Sequence, residues 1–184
     1  MQTRYRDLDK DAAYHVSAIA NRSEMIFDEQ AMKDLFTEFL IRVKKKYALS
    51  ILHYCIMGNH VHILIKPKNG NDLPKIMQWL LGNYAKAWNR AHGVRGHLWK
   101  ARYFSRIIRD YRGFMKVFDY VSKNPLKAHL VEKLENWKDS GIAHFLAQRR
   151  DVIDISFTGI LDGIPLCLED IYKTYCVRFS FDGL

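Results

Sequence analysis

The 184-residue chain has little of several features that would define a class of protein. Its three cysteines, Cys55, Cys167 and Cys176, are too few and too scattered for a disulfide framework or a thiolate zinc site. No apolar run approaches the roughly 20 residues of a membrane-spanning helix, and the polar N-terminus lacks the apolar core of a signal peptide. We therefore expect a cytoplasmic protein in a reducing environment, with no membrane partner.

Acidic residues are scarce in most of the chain. Residues 1–150 hold 27 Lys and Arg against 14 Asp and Glu, a balance of +13, whereas residues 151–184 hold 2 against 6, a balance of −4. A basic body with an acidic tail is typical of a domain that binds a polyanion such as nucleic acid. Ordinary solubility charge is the alternative explanation of the same numbers.

Hydrophobic periodicity predicts alternating strands and helices up to about residue 134. The predicted elements are a strand within 12–21, a helix over 28–48 capped by Asp28, two strands around a tight turn at Gly58-Asn59, a helix over 71–93 ended by Gly93, a strand around 103–108, and a helix over 110–124 that restarts at Pro125 and continues to 134. This order predicts an α+β fold, namely a ferredoxin-like βαββαβ sheet with helices on one face, followed by a further helix and a C-terminal extension. We predict a first domain over residues 1–135 and an extension over 136–184 packed on it.

Two histidines one residue apart stand at the head of the third predicted strand, in "GNHVHILI". Side chains at this spacing point to the same face, roughly 6.6 Å apart at the backbone, so His60 and His62 can share one metal ion. Val61, Ile63 and Ile65 face the opposite side, which we expect helices to cover. A pair of exposed polar residues without a ligand role is the alternative.

A metal on two imidazoles needs a third protein ligand, and the other histidines, at 15, 53, 92, 97, 129 and 144, offer no unique choice. Tyr120 and Asn124 in "DYVSKNPLKAHLV" are four residues apart and share a helical face. A tyrosine beside a metal is a candidate nucleophile on phosphorus, because the cation polarises a phosphate oxygen. Two alternatives stay open: Tyr120 as a core residue with its hydroxyl at the rim, and Asn124 as the cap of a helix that begins at Pro125.

The segment "GHLWKARYFSRIIRD" mixes cations with aromatic residues, as sites for single-stranded nucleic acid do. Trp99 is the predicted stacking residue, and Tyr103 or Phe104 is expected in the core. The predicted nucleic-acid contacts are Trp99, Lys100, Arg102, Arg106, Arg109 and Arg112, with Lys123 and Lys127 beside Tyr120. In the alternative interpretation the aromatic residues all pack in the core, and only the cations face solvent.

Three segments, "GNHVHILI", "GHLWKARYFSRIIRD" and "YVSKNPLKAHLV", resemble in order and spacing the motifs of the HUH single-tyrosine transposases. Within that superfamily, residues 12–147 are most similar to the REP-associated tyrosine transposases, which have the IS200-like transposase fold. The downstream segment "WKDSGIAHFL" is part of the likeness.

The resemblance implies a metal-dependent endonuclease that acts in DNA transposition and recombination, cutting single-stranded DNA beside hairpins such as repetitive extragenic palindromes. It implies that His60 and His62 hold Mg²⁺ or Mn²⁺, with Asn124 as a third ligand. Tyr120, on a catalytic helix, would attack a backbone phosphate and leave a 5′-phosphotyrosine link and a free 3′-hydroxyl. The implied partner is single-stranded or hairpin DNA of the nucleoid, and a monomer is favoured over a dimer.

Two positions depart from the family pattern, which has proline at Gly58 and glycine at His129. Neither departure removes a catalytic group. Two other functions stay open. One is a non-cleaving protein of the same fold that binds hairpin DNA or RNA. The other is a metallohydrolase that uses His60, His62 and a bound water, for which Asn124 would be a weak third ligand.

Overall fold

Strands and helices alternate along the first part of the chain, and a strand hairpin and a last helix follow. The computed structural model describes residues 8–9, 12–161 and 164–180. The strands are β1 (Ala13–Ile19), β2 (Leu49–Ile56), β3 (His60–Pro67), β4 (Phe104–Ile108), β5 (Thr158–Leu161) and β6 (Ile164–Cys167). The α-helices are α1 (Gln30–Lys46), α2 (Leu73–Ala91), α3 (Tyr111–Ser122), α4 (Asn124–Lys127), α5 (Gly141–Leu146) and α6 (Leu168–Ser180). No helix in these ranges is both long and apolar enough to span a lipid bilayer.

The first four strands form one sheet in the order β2-β3-β1-β4, so β2 and β4 are its edges. Each neighbouring pair in this sheet is antiparallel. The strands β5 and β6 form a separate two-stranded hairpin. The predicted α+β class is confirmed, and the four sheet strands lie in the regions where the hydrophobic pattern predicts them.

Cross-strand register assigns each side chain to a face of the sheet. His62 lies opposite Ser17 of β1 and Cys55 of β2, and directly opposed residues project to the same side. Because side chains alternate along a strand, His15, His60 and His62 share this side, which we call the histidine face. The other side carries the buried apolar residues of β3, as the alternation predicts: Val61, Ile63 and Ile65.

Helices cover both faces of the sheet. The helix α1 lies on the side away from the histidines, where Thr37 hydrogen-bonds with the Tyr54 hydroxyl of β2, and α2 packs on α1 through aromatic side chains. The helix α3 lies on the histidine face, where Phe118 stacks on His53 with ring centroids 4.2 Å apart. The prediction of helices on one face therefore holds for α1 and α2, whereas the buried apolar side of α3 occupies the opposite face.

Local hydrogen bonds determine where the helices begin and end. Glu29, not the predicted Asp28, is the N-cap of α1, because Asp28 closes the preceding turn with an N–H bond to the Met25 carbonyl oxygen at 3.1 Å. Gly93 follows the end of α2 with a φ of 65°, a conformation that favours glycine. Asp110 caps α3 by accepting a backbone N–H of the first turn at 2.6 Å.

The helix that begins near Pro125 is much shorter than predicted. It ends at Lys127, because His129 takes a left-handed φ of 54° and the Leu130 N–H bonds the Pro125 carbonyl oxygen at 3.0 Å. Glycine is the favoured residue at such a helix end, since it has no Cβ to clash in this conformation. The left-handed backbone at position 129 explains why the family resemblance implies a glycine there.

The C-terminal extension packs on the β2 edge and on α3. Asp154 accepts the Ile51 N–H at 2.8 Å and forms an ion pair with Lys44 at 3.0 Å. In α6, the Tyr175 hydroxyl donates to the Asp119 carboxylate of α3 at 2.9 Å. The extension therefore contacts the helix that carries the predicted nucleophile.

His53 joins β2, α3 and α6 in the interior. The Tyr172 hydroxyl of α6 donates to the Leu52 carbonyl oxygen at 3.1 Å, so its oxygen accepts the His53 Nδ1–H at 2.8 Å. The His53 Nε2 then accepts the Ser122 hydroxyl proton of α3 at 2.9 Å. Burial lowers the pKa of His53 to about 3, because a charged imidazole would lose its hydration there.

Replacing His129 by glycine should stabilise the protein by about 0.5–1 kcal/mol, because the left-handed backbone penalty exceeds the entropy that glycine adds to the unfolded chain. Urea unfolding would measure the difference. Ala128→Gly is the matched control, since its φ is −86°, and it should destabilise the protein. A His129→Gly variant no more stable than wild type would contradict the conformational explanation.

The buried His53 should make the fold sensitive to mild acid. The unfolded chain binds a proton at His53 near pH 6.5 while the folded chain does not until about pH 3, so stability falls as pH drops through this window. His53 alone should lower the free energy of unfolding by about 2 kcal/mol between pH 7 and pH 5. Urea unfolding of wild type and His53→Gln at both pH values should show a difference that is smaller by this amount in the variant, and an equal difference in the two proteins would contradict the explanation.

Candidate active site

Four aromatic side chains meet on the histidine face. The rings of His60 and His62 in β3 lie 5.1 Å apart between centroids. The Tyr120 ring of α3 lies 5.4 Å from that of His62 and 6.1 Å from that of His15 in β1. The sequence predicts the first three of these residues as site residues, and the structure brings them together within one chain.

Tyr120 faces solvent. Its side chain is 42% exposed, in contrast to the fully buried Phe118 two residues earlier on the same helix. The Lys127 Nζ lies 5.1 Å from the centre of the Tyr120 ring. The alternative of Tyr120 as a core residue therefore does not describe this structure, and the ring is accessible to a large substrate.

Hydrogen bonds orient both ring systems of β3. The Asn59 side-chain oxygen accepts the His60 Nδ1–H at 2.7 Å, and His62 Nδ1 lies 3.0 Å from His15 Nε2. With His62 Nδ1 as the donor, the Nε2 atoms of His60 and His62 both keep a lone pair. A neutral imidazole with its other nitrogen held in this way is the usual form of a metal-bound histidine.

Burial keeps these imidazoles neutral. Burial, with smaller contributions from His15 and His60, lowers the pKa of His62 to about 3. Burial and the Arg106 guanidinium lower the pKa of His15 to about 4, and burial also lowers the pKa of His60. Protons therefore do not compete for the ring lone pairs at neutral pH.

Asn124 contacts the segment that carries Tyr120. Its side-chain amide donates to the Tyr120 carbonyl oxygen at 2.9 Å, so its amide oxygen is the atom that could contact a cation. Lys123, not Asn124, occupies the N-cap position of α4. The alternative of Asn124 as a helix cap is wrong, because Asn124 already lies within the first turn.

The side chains of His60, His62 and Asn124 carry donor atoms of types that bind divalent cations. No group of three or more His, Cys, Asp or Glu residues suited to a metal occurs in the part of the chain that the structure describes. A third protein ligand beside His60 and His62 would therefore be of another type, as Asn124 is. Imidazoles are softer than the oxygen ligands that Mg²⁺ prefers, so Mn²⁺ fits this set better than Mg²⁺ does.

His15 is the site residue that the sequence does not single out. It lies two strand positions before Ser17, whose cross-strand partner is His62, and its ring is stacked near the His62 ring with centroids 5.1 Å apart. The sequence does indicate that His15 lies on one face of its strand, because side chains alternate along β1. Only the pairing of β1 with β3 shows that it is the face of His60 and His62.

The predicted cations divide into separate groups. Arg106 and Arg109 line a cleft of about 410 Å³ between β4 and α3, together with Lys116. Lys116 is absent from the sequence prediction, although its i+4 spacing to Tyr120 is a usable signal. Lys123 forms an ion pair with Asp119 at 2.7 Å. The other predicted cations are exposed along the loop before β4, on α3 and at the end of α4: Lys100, Arg102, Arg112 and Lys127.

Trp99 is held by the core. Its indole N–H donates to the Leu81 carbonyl oxygen of α2 at 2.9 Å, and its ring contacts those of Phe27 and Tyr84. The structure gives Trp99 a packing role, which weakens its prediction as a stacking residue. Tyr103 is buried, as one of the two predicted alternatives requires.

Comparisons with known proteins show which family and fold this chain shares. A family model described as "Transposase IS200 like" matches residues 9–124. A Haemophilus influenzae (strain ATCC 51907 / DSM 11121 / KW20 / Rd) protein named "Putative REP-associated tyrosine transposase" is 22% identical in an alignment over 149 residues that covers 72% of this chain and 80% of that protein. A solved structure of a REP-associated tyrosine transposase bound to a REP hairpin has the same fold, with a TM-score of 0.67 and 20% identity over 89% of this chain and 95% of that one.

His15 should hold His62 in its metal-binding orientation. We expect His15→Phe, which removes the nitrogen that contacts His62, to weaken Mn²⁺ binding by about tenfold. His15→Gln, whose amide can reach the same position, should stay close to wild type. Mn²⁺ titration followed by electron paramagnetic resonance would measure both affinities, with His97→Phe as the control. Unchanged affinity in a folded His15→Phe variant would contradict this role.

Proposed function

This chain belongs to the IS200-like transposase family and is related to the REP-associated tyrosine transposases, and on that premise we propose that it cuts and rejoins single-stranded DNA with Tyr120 as the nucleophile. The observation that carries the proposal is the exposed Tyr120 ring 5.4 Å from the His62 ring. An accessible phenol next to two oriented, neutral imidazoles suits attack on a phosphate.

In the proposed step, the Tyr120 oxygen attacks a backbone phosphorus and the bond from phosphorus to the 3′ oxygen breaks. The phenol loses its proton and the departing 3′ oxygen takes one up, so the products are a 5′-phosphotyrosine link and a free 3′-hydroxyl. Attack of a 3′-hydroxyl on the same link reverses the step and rejoins DNA. Lys127, whose Nζ lies 5.1 Å from the ring centre, would bind an oxygen of the attacked phosphate.

His60, His62 and Asn124 are the proposed holders of Mn²⁺ or Mg²⁺. When bound, the cation would draw charge from a non-bridging phosphate oxygen and make the phosphorus a better electrophile. The chain's own contribution is orientation: Asn59 and His15 fix the two rings, and the bond from Asn124 to the Tyr120 carbonyl fixes the amide. A preset geometry of this kind lowers the entropic cost of attack.

Hairpin DNA is the proposed substrate, by analogy with the REP hairpin bound in the solved relative. The cleft of Arg106, Arg109 and Lys116 would follow the phosphates of the flanking single strand. A monomer is the proposed active form, since Tyr120 and His62 of one chain already face each other. The bond from Tyr175 to Asp119 supports this, because it holds α3 in place from within the same chain.

The strand order also supports the ferredoxin-like arrangement as part of this proposal. The strand order β2-β3-β1-β4, with α1 and α2 inside a βαββαβ sequence of elements, supports a ferredoxin-like arrangement. We propose residues 1–135 as the endonuclease domain and residues 136–184 as an extension that holds its catalytic helix. The described part of the extension contacts α3 and β2, which agrees with this division.

Tyr120→Phe should abolish the covalent protein–DNA adduct by removing the attacking oxygen, while DNA binding stays within about threefold of wild type. Hairpin oligonucleotides labelled at the 3′ end should be incubated with Mn²⁺ and run on denaturing gels, because the 5′-phosphotyrosine link retains the 3′ fragment. Tyr111→Phe, on the same helix, is the matched control and should form adduct normally.

Two outcomes would contradict this function. Equal adduct formation by Tyr120→Phe would move the nucleophile to another residue. A wild-type protein that binds the hairpins but forms no adduct and no cut product would indicate the non-cleaving DNA- or RNA-binding alternative.

A further inference from the structure

Phe104 is the most exposed large apolar residue between the end of α2 and the end of β4. Its side chain is 59% exposed, whereas Tyr103 is buried and Trp99 is bonded to α2. Phe104 begins the edge strand β4, a position where exposed aromatic residues are unfavourable and charged residues are usual. Packing within the fold does not account for this residue.

The register of the sheet puts Phe104 on the histidine face. Ser17 of β1 lies opposite Phe104 on one side and opposite His62 on the other, so all three side chains project the same way. With neighbouring strands about 4.8 Å apart, the backbone of Phe104 lies about 10 Å from that of His62. The two side chains are therefore placed to contact the same bound strand.

A second apolar residue and a cation flank Phe104 on this face. Ile19, opposite His60, is 48% exposed and is the diagonal neighbour of Phe104 on the adjacent strand β1. Arg106, opposite His15, is the next residue of β4 on this face and is exposed. An apolar ring beside a cation suits a base and its phosphate, and the basic balance of residues 1–150 favours this occupant over a protein surface.

We propose that Phe104 stacks on an unpaired DNA base next to the phosphate that Tyr120 attacks, with Arg106 on the adjoining phosphate. This inference rests on the proposed function, and it names the contact that sets the register of the strand in the site. Stacking tolerates any base, because each has an aromatic face. Phe104 therefore fixes where the backbone lies and leaves the choice of sequence to other contacts.

The test is DNA binding, measured by fluorescence anisotropy in the Tyr120→Phe background so that cutting does not interfere. The probe is a labelled hairpin with ten-nucleotide single-stranded flanks, and a set of its variants carries one abasic site at each flank position. Phe104→Ala and Phe104→Leu should each weaken binding about tenfold, because neither offers an aromatic face. Phe104→Trp should bind as tightly as the parent, and Val177→Ala, an exposed apolar residue of α6, is the control.

The abasic series identifies the stacked base. One flank position should weaken binding to the parent about tenfold when its base is removed, and should have no further effect on Phe104→Ala. A folded Phe104→Ala variant with parental affinity would overturn the inference while leaving the proposed function intact if adduct still forms. If light scattering shows that Phe104→Ala has a different oligomeric mass from the parent while its DNA affinity is unchanged, Phe104 is a contact between copies of the chain. That result would also overturn the inference. Failure of the parent to bind any hairpin would overturn both, whereas binding without adduct formation by the wild type would remove only the cutting step.

Discussion

His53 is the point where β2, α3 and α6 meet. Its ring stacks on Phe118, and its two nitrogens bond Tyr172 and Ser122, so the rotation of α3 about its own axis is fixed. Tyr120 lies between Phe118 and Ser122 on the same helix, and a different rotation would turn its ring away from the histidines. Both ring nitrogens of the buried His53 are hydrogen-bonded, so a different rotation of α3 would leave a buried polar group unpaired. The candidate site thus depends on a buried histidine that is not part of it.

The histidine face must bury the imidazoles and also leave Tyr120 accessible. Imidazoles that hold a metal must be neutral, and burial secures this by removing the hydration that a charged ring needs. A nucleophile that reaches DNA must stay accessible, and Tyr120 is exposed. The structure meets both because α3 covers only part of the face: His15 and His62 lie under it, and Ile19 and Phe104 lie beyond its edge. An exposed strip of sheet next to buried imidazoles is a suitable surface for a single strand of DNA.

Segment 96–110 shows how closely core and surface roles can be interleaved. Trp99 bonds α2, Tyr103 is buried, and Phe104 faces solvent. The composition of the segment predicts a nucleic-acid surface, but neighbouring aromatic residues take opposite roles. Alternation along β4 then separates Arg106 from its neighbours on the other face. The cleft that Arg106 forms with Lys116 exists only because α3 packs beside this strand.

The sequence by itself determined the local chemistry. Alternation in β3 put His60 and His62 on one side, helical spacing put Tyr120 and Asn124 on another, and the order of the elements gave the α+β class. It did not determine which faces meet, because strand pairing and helix packing join residues far apart in the chain. The place of His15 in the site appears only when β1 pairs with β3. The packing of Trp99 appears only when its indole bonds α2, and Phe104 is left exposed. The early end of α4 escaped the periodic pattern because it depends on one backbone angle at His129. Periodicity reports on neighbours along the chain, whereas a site is built from neighbours in space.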